Sequence, residues 1–391
     1  MKPTVAAALA ASLLPSAGFA QAARQPTFEV FGFAQVDYIQ DFNRVDPDWN
    51  AMLRASKVPT TSGQFGPDGE AILSARQSRL GVKGTFPAGE HDLSTRVEFD
   101  FFGRGTGSPD SAGQNTIRLR RAFGEWGPVL GGLTDSLFMD DDYWPNIVEY
   151  WGPTGMVFYR NVQLRYTTPL GGPNSLAFAL ERPGSDLQAY PEQAPNLSSH
   201  NRWPDVTARY RFVQGWGYVQ VSGILRSLGW ENAGRTGTLA GWGLNASSTV
   251  KVAPDKVHLL VAVVYGSGCE NYMNDATPDV GTGGAVAAPK GETVPLFGIS
   301  AYVDIFWSKL LTSSFGFSEM NIQNTILQPA GAYHRGEYAS ANLLVHPAAN
   351  FLVGPELQWA RRTDNDDANG QDVRLQISAK FSFSTAKDFW K

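Results

Sequence analysis

The chain has 391 residues, with 32 Lys and Arg against 37 Asp and Glu and a formal net charge of −5. This mildly acidic balance excludes a general nucleic-acid binder, which needs a basic surface, and the length allows one large domain without requiring two. Glycine is abundant at 41 residues and aromatics reach 12%, a mix of turn formers and amphipathic rings that suits a β-rich chain meeting a membrane interface.

Residues 1–20 have the three parts of a signal peptide. Lys2 supplies the positive start, Val5 to Leu14 is a short apolar run, and small residues lead to a cut after Ala20. A buried N-terminal helix is the other reading of this run. Further on, Val257 to Tyr265 is the longest apolar run, far short of the ~20 residues a membrane helix needs. An exported chain of this kind is periplasmic, secreted or a barrel. Cys269 is the single cysteine, so no internal disulfide framework is available. It reads as an incidental residue of a long loop.

From residue 28 onward, period-two segments alternate with turn-rich stretches. The expected strands are 28–42, 75–86, 91–102, 116–126, 129–136, 157–168, 174–182 and 204–213, then 217–227, 238–251, 256–267, 293–306, 310–318, 336–346, 350–362 and 372–383. In the third, Leu93, Thr95, Val97, Phe99 and Phe101 share one face, and Ser94, Arg96, Glu98 and Asp100 the other. Such alternation also occurs in soluble β-sandwiches. Two features favour a membrane barrel: the segments are long, and the links alternate in length. Phe86 to Glu90, Trp126 to Pro128, Val213 to Trp216 and Pro347 to Asn350 are tight. The stretches 43–74, 103–115, 137–156, 184–203, 268–292 and 319–335 are long and polar. Aromatic residues such as Trp126, Trp216, Tyr265 and Trp307 sit near segment ends, where they meet the two interfaces. The fold expected is all-β: one transmembrane antiparallel barrel of about sixteen strands over 21–391. It has short periplasmic turns and long extracellular loops, and it lies in the lipid of the bacterial outer membrane.

A barrel of that size encloses water, so function rests on the charges that face the lumen. The polar faces carry Arg79, Lys83, Arg96, Arg118, Arg120 and Arg165, with Arg209, Arg211, Arg374 and Lys380 further on. Arg79, Arg96, Arg118 and Arg120 come from three consecutive strands, where a basic patch raises the local concentration of anions. Asp37, Glu98, Asp100 and Glu356 face the same way and partly offset them. The alternative is that these charges solvate the lumen and pair with one another. Strict alternation puts Arg121 on the opposite, lipid face. The stretch 137–156 holds Asp140, Asp141, Asp142 and Glu149. If it folds inward, its carboxylates face the arginine wall across a constriction; if it stays outside, they are hydrated or bind divalent cations.

Short motifs resemble those of outer-membrane porins. Ser78 to Gly84 (SRLGVKG) and Arg160 to Pro169 (RNVQLRYTTP) are similar to strands of general trimeric porins. Leu119 to Glu125 (LRRAFGE), Phe138 to Asp140, Trp151 to Val157 (WGPTGMV) and Ala341 to Pro347 (ANLLVHP) resemble the DcaP-like porins. The resemblance covers nearly the whole mature chain, with 117–169 its most specific part. It implies a homotrimer of sixteen-stranded barrels and an inward loop after the fifth strand, which falls on 137–156 here. It also implies passage of small hydrophilic solutes, anions such as dicarboxylates among them. Arg79, Arg118, Arg120 and Arg165 fall on lumen-facing motif positions. Some members carry a coiled-coil segment before the barrel; here few residues separate Ala20 from the first strand, so barrel-wall contacts are the expected route to a trimer. Phe383 and Trp390 are the two candidates for a terminal aromatic assembly signal.

No catalytic residues, cofactor or metal site are expected. The histidines are scattered, and no nucleophile elbow or phosphate loop occurs. A lipase-like barrel enzyme and a soluble exported carbohydrate-binding β protein are the two competing readings.

Overall fold

The computed structural model describes residues 25–103, 116–188, 196–276 and 278–386. The expected signal peptide, the loop 104–115 and Trp390 lie outside these residues.

Among the described residues, sixteen antiparallel strands close into a barrel. The first half comprises β1 (Thr27–Asp41), β2 in two pieces (Glu70–Ser74 and Arg79–Ala88), β3 (His91–Asp100), β4 (Arg118–Trp126), β5 (Val129–Asp135), β6 (Arg160–Pro169), β7 (Ser175–Glu181) and β8 (Asp205–Gln214). The second comprises β9 (Gly217–Asn232), β10 (Arg235–Ala253), β11 (Val257–Ser267), β12 (Pro295–Phe306), β13 (Leu311–Ile322), β14 in two pieces (Tyr333–Asn342 and Leu344–Ala348), β15 (Phe351–Asp364) and β16 (Asn369–Ser384). Closure is made by β1 on β16, from Phe31 opposite Ser384 to Asp41 opposite Arg374. Among the described residues the barrel sheet is closed, so its ladders find partners without water, as a bilayer demands.

The two faces of the strands show what surrounds them. On β10, Leu244 is 57% exposed while Asn245 is 3% exposed. The same inversion runs round the barrel: Val36, Val97, Leu164, Phe178 and Leu225 point out, and Asp37, Glu98, Gln163, Thr207 and Arg226 are buried. A water-soluble sandwich buries its apolar face; here the apolar face is the outer one. Trp126, Trp216 and Trp307 all stand at the short-turn end and are 50%, 43% and 58% exposed, marking one interface.

The polar interior is partly filled by loops. Residues after β1, between β5 and β6, and after β11 enter the barrel and form two apolar clusters inside it. One gathers Phe138, Val157, Cys269, Tyr272 and Met273; the other gathers Val45, Leu53, Val58, Tyr143 and Met156. Cys269, expected as incidental, is fully buried in the first cluster, a small apolar filler between the loop and the wall.

Candidate functional site: the lumen and its arginine wall

The segment between β5 and β6 crosses the interior. The Phe138 carbonyl accepts from Ser222 (2.9 Å) and Asn245 (2.8 Å) on β9 and β10. Tyr143 donates to Ser300 on β12 at 2.7 Å. The amides of Val148 and Glu149 donate to Glu356 on β15 at 2.9 and 3.1 Å. Gln376, opposite Glu356 on β16, and Gln77, on the other side of β1, both donate to the Val148 carbonyl. The partners of this segment are lumen-facing side chains of the barrel strands.

At the far end of this path Tyr150 meets the arginine wall. Its hydroxyl donates to Asp100 at 2.9 Å and accepts from Arg120 at 2.7 Å and from Arg118. Arg118 also holds Asp100 through two nitrogens, at 2.9 and 2.6 Å. Arg120 bridges Glu98 at 2.9 Å and Asp100 at 2.7 Å.

The wall contains a register shift that strict alternation misses. Glu98 lies opposite Arg121, but the next residue, Phe99, lies opposite Leu119. Arg120 is thus the extra residue of a β-bulge, and a bulge re-aims the side chains beside it. Arg121, expected to face lipid, turns into the lumen: it donates to Glu98 at 3.1 Å and to Asp135 at 2.7 Å. Arg160 at the start of β6 approaches Asp135 at 3.8 Å, and Arg96 pairs with Glu98. Arg79 lies 5.3 Å over the Phe33 ring, with a buried Nε that has no hydrogen-bond partner. Five guanidiniums (Arg96, Arg118, Arg120, Arg121 and Arg160) thus share three carboxylates (Glu98, Asp100 and Asp135), and Arg79 stands on the same wall as a sixth cation. Pairing is extensive, yet three positive charges are in surplus.

Beside this wall is a cavity of about 420 Å³, lined by Arg54, Arg118, Arg120 and Arg160 and by the rings of Tyr150, Trp151, Phe158 and Tyr159. Its guanidiniums lie over the rings that line it, with Asp186 as an acid on the same lining, and this mix of cations and apolar faces suits a small anion with a carbon skeleton.

A family model described as DcaP outer membrane protein matches residues 20–279. The chain belongs to the DcaP outer membrane protein family. It is an outer-membrane porin, and this sets aside the soluble carbohydrate-binding reading. Among solved structures, the outer membrane channel DcaP of Acinetobacter baumannii superposes with a TM-score of 0.80 at 21% identity, covering 94% of this chain and 100% of that one. An anion-selective porin from Comamonas acidovorans gives 0.59 at 10% identity, covering 92% and 100%. The trimer form of OmpT from Vibrio cholerae gives 0.52 at 12% identity, again covering 92% and 100%. At these identities the likeness is one of fold. No curated protein matches by sequence.

The other expected residues of this DcaP-family chain fall in different places. Lys83 faces the lumen near the short-turn end and pairs with Glu29 at 3.2 Å. Arg165 donates to Gln163 at 3.0 Å on β6. The acids of the segment do not face Arg79, Arg118 and Arg120 across a gap. Asp140 accepts from Tyr218 (2.8 Å), Ser247 (2.6 Å) and Arg211 (3.2 Å) on β8 to β10, and Asp142 also pairs with Arg211. Asp141 lies in the field of Asp135, Asp142, Asp140 and Arg209. The three carboxylates come within 4.8 Å of one another, but donors from the wall already answer two of them. Glu149 accepts from the Leu53 amide at 2.8 Å and from the Gly152 amide, so it ties two loops together instead of facing solute. Arg121, Arg160, Arg54 and Tyr150 are the lumen residues sequence reasoning missed. For Arg121 a signal existed: two adjacent arginines in a strand whose neighbour offers two inward acids.

Burial, with the nearby Glu356 charge adding to it, pushes the Glu149 carboxyl up to about 8 from an ordinary 4.5. An acid raised on docking stabilises the docked loop fully below its undocked value, and that contribution is lost as pH rises through the docked one. Raising pH from 7 to 9 is therefore expected to increase the conductance and current noise of the wild-type channel. Glu149→Gln, uncharged throughout, should show neither change in single-channel recordings; the same rise in that variant as in the wild type refutes the assignment.

Proposed function

We propose that this porin passes small hydrophilic solutes with a preference for anions, dicarboxylates among them, and that residues 137–156 form its constriction. The observation that carries the reading is the surplus of three guanidinium charges on the wall from β2 to β6, beside a ring-lined cavity. A fixed positive surplus in a narrow, low-dielectric passage concentrates anions and lowers their barrier. The acids of the inward segment offset only part of it, because Arg211 pairs with Asp140 and Asp142 and Arg209 faces the same cluster, which leaves one carboxylate of the three in excess. The resemblance in fold to the Comamonas porin described as anion-selective agrees with this reading.

The test is a reversal potential across a planar bilayer with a potassium chloride gradient. Chloride is expected to permeate more readily than potassium, and succinate more readily than a monocation of similar size. A cation-preferring channel would overturn the reading. We further propose a homotrimer assembled through barrel walls, in keeping with the trimer form of the OmpT neighbour. Detergent-extracted protein should run unheated at about three times its heated mass; a monomer in mild detergent would refute that assembly.

A further inference from the structure

A second cavity, of about 380 Å³, opens on the loop side of the arginine chamber. Its lining includes Arg54, Ser56, Lys57, Asp186, Gln188 and Arg362. Arg54 and Asp186 line the arginine chamber as well, so the two spaces adjoin.

The cations here are built into the structure. The Arg54 guanidinium lies in the corner formed by two perpendicular indole rings, 4.4 Å from the centroids of both Trp49 and Trp151. It holds Asp275 through Nε at 3.0 Å and Nη2 at 2.8 Å. Rings and carboxylate come from three different inward loops, so Arg54 is fixed where the cavities meet. Arg362 is fixed by Asp364 at 2.6 Å and by the carbonyls of Ser56 and Gly331 at 3.0 and 3.2 Å. Lys57 is different. Its ammonium has Asp46 at 3.9 Å as its nearest carboxylate and lies 5.4 Å over the Trp49 ring. Arg54 and Arg362 have matched carboxylates buried behind them; Lys57 is the least neutralised cation of the group, and Asp186 is the one acid on the lining.

We propose that this vestibule cavity is a capture site for small carboxylate anions, in which Lys57 supplies the attracting charge and Arg54 passes the anion to the arginine chamber. The proposal rests on the anion-preferring reading of the pore and adds a station to it. Burial and the neighbouring Arg54 charge both push the Lys57 ammonium below its ordinary range, as expected where cations are crowded and an incoming anion would relieve them.

The experiment measures succinate-induced interruptions of single-channel current, with succinate on the loop side of oriented channels at low salt. Lys57→Gln is expected to lower the association rate roughly tenfold, the scale of electrostatic capture in a charged cleft. The difference should shrink in 1 M salt, where the Debye length is about 3 Å. Lys57→Arg should restore the rate. The chloride-to-potassium permeability ratio should fall less than it does when Arg118, Arg120 and Arg121 are removed, since the wall carries the larger share of the positive charge. A wild-type channel without anion preference refutes the proposed function. Anion preference intact, but with the same association rate in Lys57→Gln, refutes the capture site alone. The wild-type channel tests the capture site without any substitution: succinate must associate faster from the loop side than from the turn side at low salt, and equal rates overturn the proposal.

Discussion

Replacing Arg118, Arg120 and Arg121 together with alanine is expected to bring the chloride-to-potassium permeability ratio close to unity. The wall sets six guanidiniums against three carboxylates, and the triple variant leaves three against three. One unit charge at ~4 Å is worth about 4 kcal/mol at an effective dielectric of 20, and salt screens it over about 8 Å in physiological buffer. If only about 1.4 kcal/mol survives screening, permeability changes tenfold. The single change Arg121→Ala should move the reversal potential as much as Arg118→Ala, because the bulge turns both side chains into the lumen. Strict alternation expects Arg121→Ala to be silent, so this one variant separates the two registers. The barrel should survive the loss. Glu98 keeps Arg96 as a partner, and the ladder bonds of β4 do not involve these side chains. If the triple variant is as anion-selective as the wild type, the preference arises elsewhere in the lumen.

That bulge also shows where reading from sequence stops. Each of the sixteen expected strands has its counterpart, because lipid on one side and water on the other force a period of two on every segment. The short turns were legible for a similar reason: Gly89, Gly127 and Gly217 adopt positive φ, where glycine is at ease. Above the membrane that constraint is gone. β9 and β10 run well past the expected 227 and 238, to a turn in which Ala233 and Gly234 both have positive φ. The stretch 268–292 contains a hairpin, Val280–Ala285 with Ala288–Thr293, that nothing in its Gly-rich sequence announced.

The site was legible as a set of wall positions and not as a set of partners. Arg79, Arg96, Arg118, Arg120 and Arg165 face inward as the alternation requires. Which acid answers which base depends on distances across the bore, and sequence spacing carries no such information. Asp140 and Asp142 meet Arg211 on β8 because the segment leaves β5 toward β9 and β10 before it turns back. Glu149 meets a backbone amide of the loop after β1, a partner with no side-chain signature. Arg54 stands in that same loop, so its place over two tryptophans and against Asp275 depends on three long loops folding together.

Replacing residues 139–155 with a short Gly-Ser link is expected to raise single-channel conductance about twofold or more, since ion flow follows the open cross-section. The segment touches β9, β10, β12, β15, β16 and finally the β3–β4 wall, and so occupies the bore from one side to the other. Its partners are polar side chains such as Ser300, Glu356 and Gln376, which water can hydrate once the segment is gone. The barrel hydrogen bonds run strand to strand and close through β1 and β16 without it, so the variant should still resist unfolding when unheated. Selectivity should respond differently from conductance. Arg118 and Arg120 lose Tyr150 but keep Glu98 and Asp100, so the positive surplus stays in place. A wider bore moves the mean ion path away from the wall, and beyond about 8 Å the wall charge is largely screened in physiological buffer. The expected result is therefore a larger channel with a weakened anion preference of unchanged sign. Tyr150→Phe, which removes one hydroxyl and no charge, should leave conductance nearly unchanged, and this distinguishes the bulk of the segment from its contact with the wall. Unchanged conductance in a folded deletion variant would place the narrowest point elsewhere, at the loops that follow β1 and β11.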